Sequence, residues 1–575
     1  MQSILQNLSQ GNPTYISVFL CVLRYIAPAM AALLLWRCLK PLVVFKRTPE
    51  IWGWLDGEDG SHFTLTHWEN TIGRSPSCDV VIDFQTISRN HAVLTRYDDG
   101  SWSIKDTDSN NKSSKNGVLV NGERIRMRAL EPGDVINIGG LNMTLTPVTA
   151  KQEQLQAKLR APASAVGNVA NLLLLTVFQV LVCLAFLLTS KPEYLENIIF
   201  GFGGIMVVQW VLMIFYLCIR RSAFEMETVA FFLCTMGMAV IATVIPKDIL
   251  KQLAALVLGV VLYLLVGWSL RDLERAKKCR YVATVLGLGF LVFTLLFGEE
   301  QNGAKAWIHI AGMNLQPSEL SKVCFVYAGA STMDRLFDKR NLYLFIGYSI
   351  LICGCLALMN DFGTALIFFV AFLIIAFMRS GSVGTVGLAC TALGFAGVIA
   401  VKIAPYALRR FASWRNIWAD PMGAGYQQTR ALMCMAAGGL FGLGANQGKL
   451  KGYFAADSDI VFATITEEWG LILAVLLVVA IAALAVFAIR AATTGRSSFY
   501  TIGACTAAAI LLTQAILNAL GTLDVLPFTG VTFPFLSNGG SAMLGSWGLL
   551  AFLKAADTRQ NASFAIRRVR KEGSA

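Results

Sequence analysis

The chain has 575 residues, of which 55% are hydrophobic and 15% are charged. Soluble domains carry about 45–50% apolar and about 25% charged residues, so this composition excludes a purely soluble protein and indicates several membrane crossings. The net charge of +12 would also suit a nucleic-acid surface, but the basic residues stand mainly between apolar runs, where they record membrane topology. We therefore expect no nucleic-acid partner.

The first apolar run extends from Tyr15 to Trp36 and is long enough to cross a hydrocarbon layer of about 30 Å. Four basic residues follow it: Arg37, Lys40, Lys46 and Arg47. This order predicts a transmembrane anchor within residues 1–48. A cleaved signal peptide is the alternative, but its basic residues would precede the apolar run.

Short alternating apolar stretches, separated by Gly, Asn, Asp and Pro, continue from Ile51 to Val148. They predict a small all-β domain at residues 49–150. A charged linker, 151–166, leads back to apolar sequence. The 13 cysteines lie mostly inside apolar runs without metal-ligand spacing, so they predict neither a disulfide framework nor a zinc site.

Twelve further apolar runs make about thirteen spans with the anchor, and they predict a polytopic α-helical membrane protein with the β-domain inserted after its first helix. The runs cover residues 167–190, 195–219, 227–246, 249–270, 280–297, 318–336, 341–359, 362–378, 383–404, 461–489, 500–522 and 530–554.

Alternate connections between the runs are basic, which predicts the side of the membrane on which each lies. The β-domain and the basic tail, 556–575, are expected in the cytoplasm. The loops 298–317, 405–460 and 523–529 are expected outside. The loop 405–460 is much longer than the others, and long structured loops are usually functional, with a re-entrant packing element as the alternative.

Three motifs of the β-domain have a characteristic spacing: Gly73-Arg74-Ser75, Ser88-Arg89-Asn90-His91 and Ser114-Lys115-Asn116-Gly117 with Asn121-Gly122. Together they resemble the forkhead-associated (FHA) domain, a β-sandwich that binds phosphothreonine peptides through its loops. The resemblance implies that Arg74 and Ser88 hold the phosphate, which suits a guanidinium and a hydroxyl. It also implies that Asn116 fixes the peptide backbone and that His91 orients the site. The alternative is an FHA fold that binds an unphosphorylated surface or packs against its own membrane region.

A second series of motifs runs through the membrane region. Its members are Asn302-Gly303-Ala304-Lys305-Ala306-Trp307, Gln316-Pro317-Ser318-Glu319-Leu320-Ser321-Lys322, Asn360-Asp361-Phe362-Gly363, Gly425-Tyr426-Gln427, Asp457-Ser458-Asp459-Ile460 and Pro534-Phe535-Leu536-Ser537-Asn538-Gly539-Gly540-Ser541. The series is similar to the SEDS family (shape, elongation, division and sporulation), the RodA/FtsW-type peptidoglycan glycosyltransferases. The resemblance implies a ten-helix core at 226–555 that polymerises lipid II with inversion, while the anchor, the FHA domain and two spans at 167–225 are additions.

The implied reaction needs a base for the attacking sugar hydroxyl and cations for the pyrophosphate leaving group. Asp459 occupies the position of the family's catalytic aspartate, where partial desolvation would raise its pKa; a helix N-cap is its alternative role. By resemblance Lys322 contacts substrate phosphate and Glu319 positions it, unless the two form a structural ion pair. The remaining residues that we assign to the substrate site are Lys305, Trp307, Gln316, Ser318 and Asp361.

The chain departs from the family pattern at three positions. Ala306 and Asn314 stand where many relatives have basic residues, and Asn538 replaces the usual Tyr. Two potential pyrophosphate contacts are therefore missing. Lys305, Arg409, Arg410 or a divalent cation, Mg²⁺ or Mn²⁺, would compensate for them.

Three functions follow as hypotheses. The first is a peptidoglycan glycosyltransferase controlled through phosphothreonine, acting in elongation, division or sporulation. The second is a flippase for the lipid-linked precursor, which would require charged groups deep within several spans, where this sequence has few. The third is a non-catalytic scaffold of the cell-wall machinery, which the missing basic residues favour.

Two protein partners are expected besides the substrate lipid II. The resemblance implies a class B penicillin-binding transpeptidase, since the chain shows no Ser-x-x-Lys pattern in an outer domain of its own. A phosphothreonine-containing protein or a Ser/Thr kinase pathway is expected at the FHA domain.

Overall fold

A computed structural model describes residues 13–44, 49–76, 78–97, 100–107, 113–159, 165–301, 303–310, 313–331, 339–380, 383–403, 405–559 and 562–565. The elements in the first part of the chain are α1 Pro13–Val43, β1 Gly53–Gly57, β2 His62–Leu65, β3 Glu69–Gly73, β4 Val80–Val81, β5 Ala92–Arg96, β6 Trp102–Asp106, β7 Val118–Val120, β8 Glu123–Ile125, β9 Met127–Leu130, β10 Val135–Ile138, β11 Leu141–Pro147 and α2 Ala150–Leu159.

The elements of the membrane region are α3 Ala165–Thr189, α4 Leu195–Cys218, α5 Glu225–Val244, α6 Ile249–Ser269, α7 Leu273–Phe297, β12 Glu299–Gln301, β13 Ala304–Ile310, β14 Met313–Leu315, α8 Ser318–Ala330, α9 Lys339–Leu358, α10 Phe362–Ser380, α11 Val383–Ile403, α12 Pro405–Ser413, α13 Tyr426–Gly438, α14 Val461–Trp469, α15 Leu471–Ala492, α16 Ser498–Thr522 and α17 Gly540–Ala555.

Strands β1–β11 form two sheets that share one core. The strand orders are β2-β1-β11-β10-β7-β8 and β4-β3-β5-β6-β9. Because side chains alternate between the faces of a strand, every second residue points inward, and the core includes Leu55 and Ile136 of one sheet and Ile72, Leu94 and Ile104 of the other. The predicted β-sandwich is confirmed.

Nine helices in the described part of the chain are long and apolar enough to cross a membrane: α1, α3, α4, α5, α6, α7, α10, α15 and α16. The other four predicted spans also contain helices, namely α8, α9, α11 and α17. The prediction of a multi-pass helical membrane protein is confirmed, with several helices shorter than the apolar runs that predicted them.

The structure divides two of the runs differently from the sequence pattern. The run 461–489 breaks into α14 and α15 because Gly470 adopts φ 87°, and a Cβ at this glycine would collide with the backbone of Leu440. The run 530–554 becomes helical only at Gly540. The loop 298–317 contains the three-stranded sheet β12-β13-β14, and the long loop 405–460 contains α12 and α13.

Buried amides join helices α3 and α4 to each other and to α5. The side chains of Gln179 on α3 and Gln209 on α4 exchange hydrogen bonds of 3.0 and 2.8 Å. Gln179 also donates to the hydroxyl of Thr235 on α5 at 2.9 Å. These bonds satisfy polar groups that lipid could not, and they attach α3 and α4 to α5.

Helix α5 is enclosed by the bundle, since all its residues from Glu225 to Thr243 are buried. Its first turn therefore carries two carboxylates into the interior. Glu227 lies 2.9 Å from Lys554 with both side chains fully buried, and Glu225 lies 3.1 Å from Arg559. These ion pairs hold the start of α5 against the end of α17.

We expect Lys554→Met to lower the free energy of unfolding by about 3–5 kcal/mol, because it leaves the Glu227 carboxylate buried without its cation. The paired change E227Q/K554M removes both charges and should recover most of the loss. Thermal unfolding in detergent measures the effect. An equal loss in the single and paired variants would show that packing, and not charge, determines it.

Candidate functional site

A cavity of about 970 Å³ lies near the end of α16 that is remote from the β-sandwich. Its walls come from β13, the start of α10, the segment 451–459 and the segments 526–530 and 538–540. The charged residues on these walls are Asp248, Lys251, Asp361, Arg410, Lys451, Asp457 and Asp459. Acidic and basic groups therefore converge on one partly apolar space.

Asp459 lies on the cavity wall just before α14. The N-cap of that helix is Ile460, so the structure does not give Asp459 the alternative capping role. Burial raises the pKa of Asp459 to about 6, although a hydrogen bond with Ser458 and the charge of Arg410 oppose the rise. A carboxylate with this pKa is ionised at neutral pH and is more basic than an ordinary aspartate.

Neighbouring segments hold Asp459 by its backbone. The Asn518 amide donates to the carbonyl oxygens of Asp459 at 2.9 Å and of Val531 at 2.8 Å. The Ser537 hydroxyl donates to the Ser458 carbonyl at 2.8 Å. Gly530, at φ 66°, lets the facing loop approach closely, since a Cβ there would lie 3.2 Å from the Asp459 carboxylate. The backbone is fixed while the carboxylate faces the cavity.

Three of the other predicted substrate residues line the cavity: Trp307, Gln316 and Asp361. The Gln316 amide donates to the Asp361 carboxylate at 3.1 Å, and the Thr364 backbone N–H donates to its other oxygen at 3.1 Å. Desolvation raises the pKa of Asp361.

Four predicted substrate residues do not line the cavity. Lys322 and Glu319 form a 2.6 Å ion pair whose side chains are 1% and 5% exposed. Ser318 is fully buried beside them. The Lys305 ammonium group donates to the Leu295 carbonyl at 2.8 Å, so it satisfies the end of α7 instead of facing the cavity. The structure thus shows the ion-pair arrangement for Lys322 and Glu319.

The loops at one end of the β-sandwich bring Arg74, Ser88 and Asn116 together. The Arg74 backbone N–H donates to the Ser88 carbonyl at 3.0 Å, and the Asn116 amide donates to the Thr86 carbonyl at 2.6 Å. Arg74 and Asn116 are exposed, as a ligand site requires.

His91 is fully buried beneath these loops. Its Nδ1 accepts a hydrogen bond from the Ser88 backbone N–H at 3.1 Å, and its Nε2 lies 3.0 Å from the Gly117 carbonyl and 3.0 Å from the Ser114 hydroxyl. The ring thus links two of the loops by hydrogen bonds, as a residue that orients the site would.

Comparison with known proteins identifies both parts of the chain. The sequence model of the FtsW, RodA and SpoVE family, described as cell cycle proteins, matches residues 246–562, and that of the FHA domain matches residues 70–139. The chain belongs to the FtsW/RodA/SpoVE family. The family match covers more than half of the chain.

Named relatives share this family region. Peptidoglycan glycosyltransferase RodA of Mycobacterium tuberculosis H37Rv is 28% identical over 322 residues, which are 53% of this chain and 69% of the relative. The probable peptidoglycan glycosyltransferase FtsW of Escherichia coli O157:H7 is 33% identical over 283 residues, which are 46% of this chain and 67% of the relative. A solved chain from a study of polymerization and crosslinking by a peptidoglycan synthase complex covers 57% of this chain and 96% of its own length, with 24% identity and a TM-score of 0.49.

The departures from the family pattern fall partly on the cavity. Ala306 lies on its wall, and Asn538 donates to the Asp457 carboxylate at 2.7 Å. The side chains of Asn314 and Arg409 lie outside the described residues. Arg410 lines the cavity and donates to the Phe528 carbonyl at 3.0 Å.

Sequence reasoning missed two cavity lysines. Lys251 lies 3.0 Å from Asp248, and Lys451 donates to the backbone and side-chain oxygens of Asn446 at 2.9 Å each. Lys451 was detectable as a basic residue in the long loop shortly before Asp459. Lys251 follows the Pro246–Asp248 turn, and its position at the end of a span is common for basic residues, so the sequence did not single it out.

We expect Asp459→Asn to change how stability depends on pH. The unfolded chain loses the Asp459 proton near pH 3.8, whereas the folded protein keeps it up to about pH 6. The unfolded state therefore binds fewer protons in this window, so the wild-type protein loses up to about 3 kcal/mol of stability as the pH rises through it.

Thermal unfolding of both proteins in detergent should therefore show that Asp459→Asn gains in Tm over the wild type between pH 4 and pH 7. A difference in Tm that stays constant over this range would contradict the raised pKa of Asp459.

Proposed function

We propose that this family member polymerises lipid II into glycan strands, with inversion at the anomeric carbon, in the cavity that Asp459 faces. The observation that carries the proposal is a carboxylate of raised pKa on the wall of a cavity that also holds basic side chains. Membership of a family whose named relatives are peptidoglycan glycosyltransferases supports it.

Asp459 would act as the general base of this reaction. It would accept the proton of the 4-hydroxyl of the acceptor sugar as the oxygen attacks the anomeric carbon of the lipid-linked donor. A pKa of about 6 keeps the group ionised at neutral pH and still basic enough to take the proton. Pyrophosphate leaves without prior protonation, so the second carboxylic acid of glycoside hydrolases is not required.

Arg410, Lys251 and Lys451 would supply the positive charge for the pyrophosphate. All three line the cavity, whereas Lys305 is directed elsewhere. Fixed cations in a partly desolvated cavity stabilise developing charge more strongly than cations in water. We propose that these side chains replace the basic residues missing at Ala306 and Asn314.

A divalent cation is a further part of the proposal. Among the residues that the structure describes, no three His, Cys, Asp or Glu side chains come together as a metal site. Mg²⁺ is commonly held by one or two carboxylates and by the substrate's own phosphates. Asp457, which lies on the same wall and is oriented by Asn538, would be its protein ligand and would leave Asp459 available as base.

The topology and the partners belong to the same proposal. We place the β-sandwich in the cytoplasm and the cavity outside, because the basic connections lie at the sandwich end of the helices. A class B penicillin-binding transpeptidase would cross-link the product. A phosphothreonine protein would bind Arg74, Ser88 and Asn116, and thereby regulate the enzyme.

The proposal is tested by lipid II polymerisation in nanodiscs with Mg²⁺, with and without candidate transpeptidases. We expect Asp459→Asn to lower kcat by about 100-fold or more, since it removes the general base. The wild-type rate should rise with pH as Asp459 ionises, and this pH dependence should be absent in Asp459→Asn.

Asp420→Asn is the matched control, because Asp420 accepts hydrogen bonds from Gly423 and Ala424 in an exposed turn away from the cavity. It should keep the wild-type rate. If the wild-type protein binds lipid II but forms no polymer with any transpeptidase, the glycosyltransferase hypothesis is refuted and the non-catalytic scaffold is favoured.

We expect Lys451→Met to lower kcat/KM by about tenfold or more, because it removes a cation from the leaving-group side of the cavity. Lys449→Met is its control, since Lys449 is exposed and lies outside the cavity lining. Steady-state polymerisation rates measure both. Equal effects of the two substitutions would show that kcat/KM depends on the net charge of this loop and not on the position of Lys451 in the cavity.

A further inference from the structure

The FHA domain is locked to the membrane domain where α16 begins. The Glu50 carboxylate accepts two hydrogen bonds from the Arg496 guanidinium, at 2.8 and 2.9 Å, and both side chains are buried. The Trp68 backbone N–H donates to the Arg496 carbonyl at 2.7 Å, and the Trp68 ring meets the Tyr500 ring edge-on at 6.0 Å. A buried bidentate pair tolerates little displacement, so the FHA domain and the start of α16 must move together.

A single strand connects this contact to the phosphate-binding loops. Trp68 directly precedes β3, and Arg74 directly follows it. Strand β3 is hydrogen-bonded to β5 on one side and β4 on the other. Its five residues span about 17 Å and cannot stretch or bend freely within the sheet.

Helix α16 makes the corresponding connection through the membrane domain. It runs without proline from Ser498 to Thr522. Asn518 lies about 30 Å from its first residue, at 1.5 Å per residue. The side-chain NH₂ group of Asn518 has two hydrogens, and it donates hydrogen bonds to the backbone carbonyls of Asp459 and Val531. The same helix therefore touches the FHA domain at one end and the wall that carries Asp459 at the other.

We propose that phosphothreonine binding to the FHA domain controls the cavity by displacing α16, with Asn518 as the positioning residue for Asp459. The inference rests on the proposed function and names its regulation. A shift of a helix by about 1–2 Å is a usual allosteric displacement. It exceeds the narrow distance range of a hydrogen bond, so it would exchange or break the Asn518 contacts and move Asp459 within the cavity.

The test uses the full chain in nanodiscs and a phosphothreonine peptide selected from a degenerate library on the wild-type protein. Hydrogen exchange of residues 455–460 and 516–522 is measured with the peptide and with its unphosphorylated form. We expect the phosphopeptide to change exchange in both segments by about fivefold, the lower range of allosteric couplings. Arg74→Ala should abolish both binding and the change.

The decisive variant is the paired substitution E50Q/R496Q, which removes the ion pair between the domains without leaving a buried charge unpaired, while the Trp68 contacts with Arg496 and Tyr500 remain. It should bind the phosphopeptide with wild-type affinity and lose most of the exchange response. E123Q/R128Q is the matched control, because it removes a 3.2 Å ion pair that lies within the FHA domain and is largely exposed. It should respond like the wild type.

Asn518→Ala tests the other end of the helix. We expect normal phosphopeptide affinity, an unchanged exchange response at 516–522 and no response at 455–460. In the polymerisation assay it should lower kcat with little change in KM, and the phosphopeptide should no longer alter its rate.

Three results would overturn the inference: an exchange response that is undiminished in E50Q/R496Q, no response at 455–460 in the peptide-saturated wild type, or a library without a binding phosphopeptide. Because exchange is measured without substrate, a silent enzyme with a transmitted response would refute the proposed polymerase and leave the coupling standing. An active enzyme in which the phosphopeptide causes no exchange response would support the proposed polymerase and refute the coupling.

Discussion

Irregular backbone beside an apolar helix bundle needs hydrogen-bond partners within the protein, because lipid supplies none. The segments around the cavity meet this constraint with buried side chains. Glu467 accepts from the backbone N–H groups of Lys449 and Leu450, at 2.8 and 2.9 Å, and Glu468 accepts from that of Gly448 at 3.2 Å. Asn518 adds its two donations from the opposite side. Without these partners the long loop could not remain folded near the cavity, and the wall that presents Asp459 would be lost.

Much of the architecture could be predicted from the sequence because its signals are local. Apolar runs of sufficient length indicate helices, alternation indicates strands, and both signals act over a few residues. The break at Gly470 was not predicted, because an apolar run has the same composition whether it forms one helix or two. The glycine is required by its positive φ and by the close approach of Leu440, which lies outside the run.

The site could be predicted only in part, because the direction of a side chain depends on tertiary packing. Trp307, Gln316 and Asp361 line the cavity, as Asp459 does, whereas Lys305 and Lys322, drawn from the same motifs, point into protein. Lys251 and Lys451 reach the cavity from segments that carry no recognised pattern. Asn518 offered one local signal, an amide one turn after Gln514 near the end of an apolar helix, but its two carbonyl partners lie in other loops.

The insertion of the FHA domain between α1 and α3 has a mechanical consequence for whatever it captures. Its first and last strands, β1 and β11, pair along their length with Gly53 opposite Pro147, so the chain enters and leaves the domain at neighbouring points. The chain connections at both ends of the domain and the ion pair with Arg496 restrict how the sandwich can turn relative to the bundle. A phosphoprotein bound there would thus stay close beside the bundle, at an effective concentration that a flexibly linked domain would not provide.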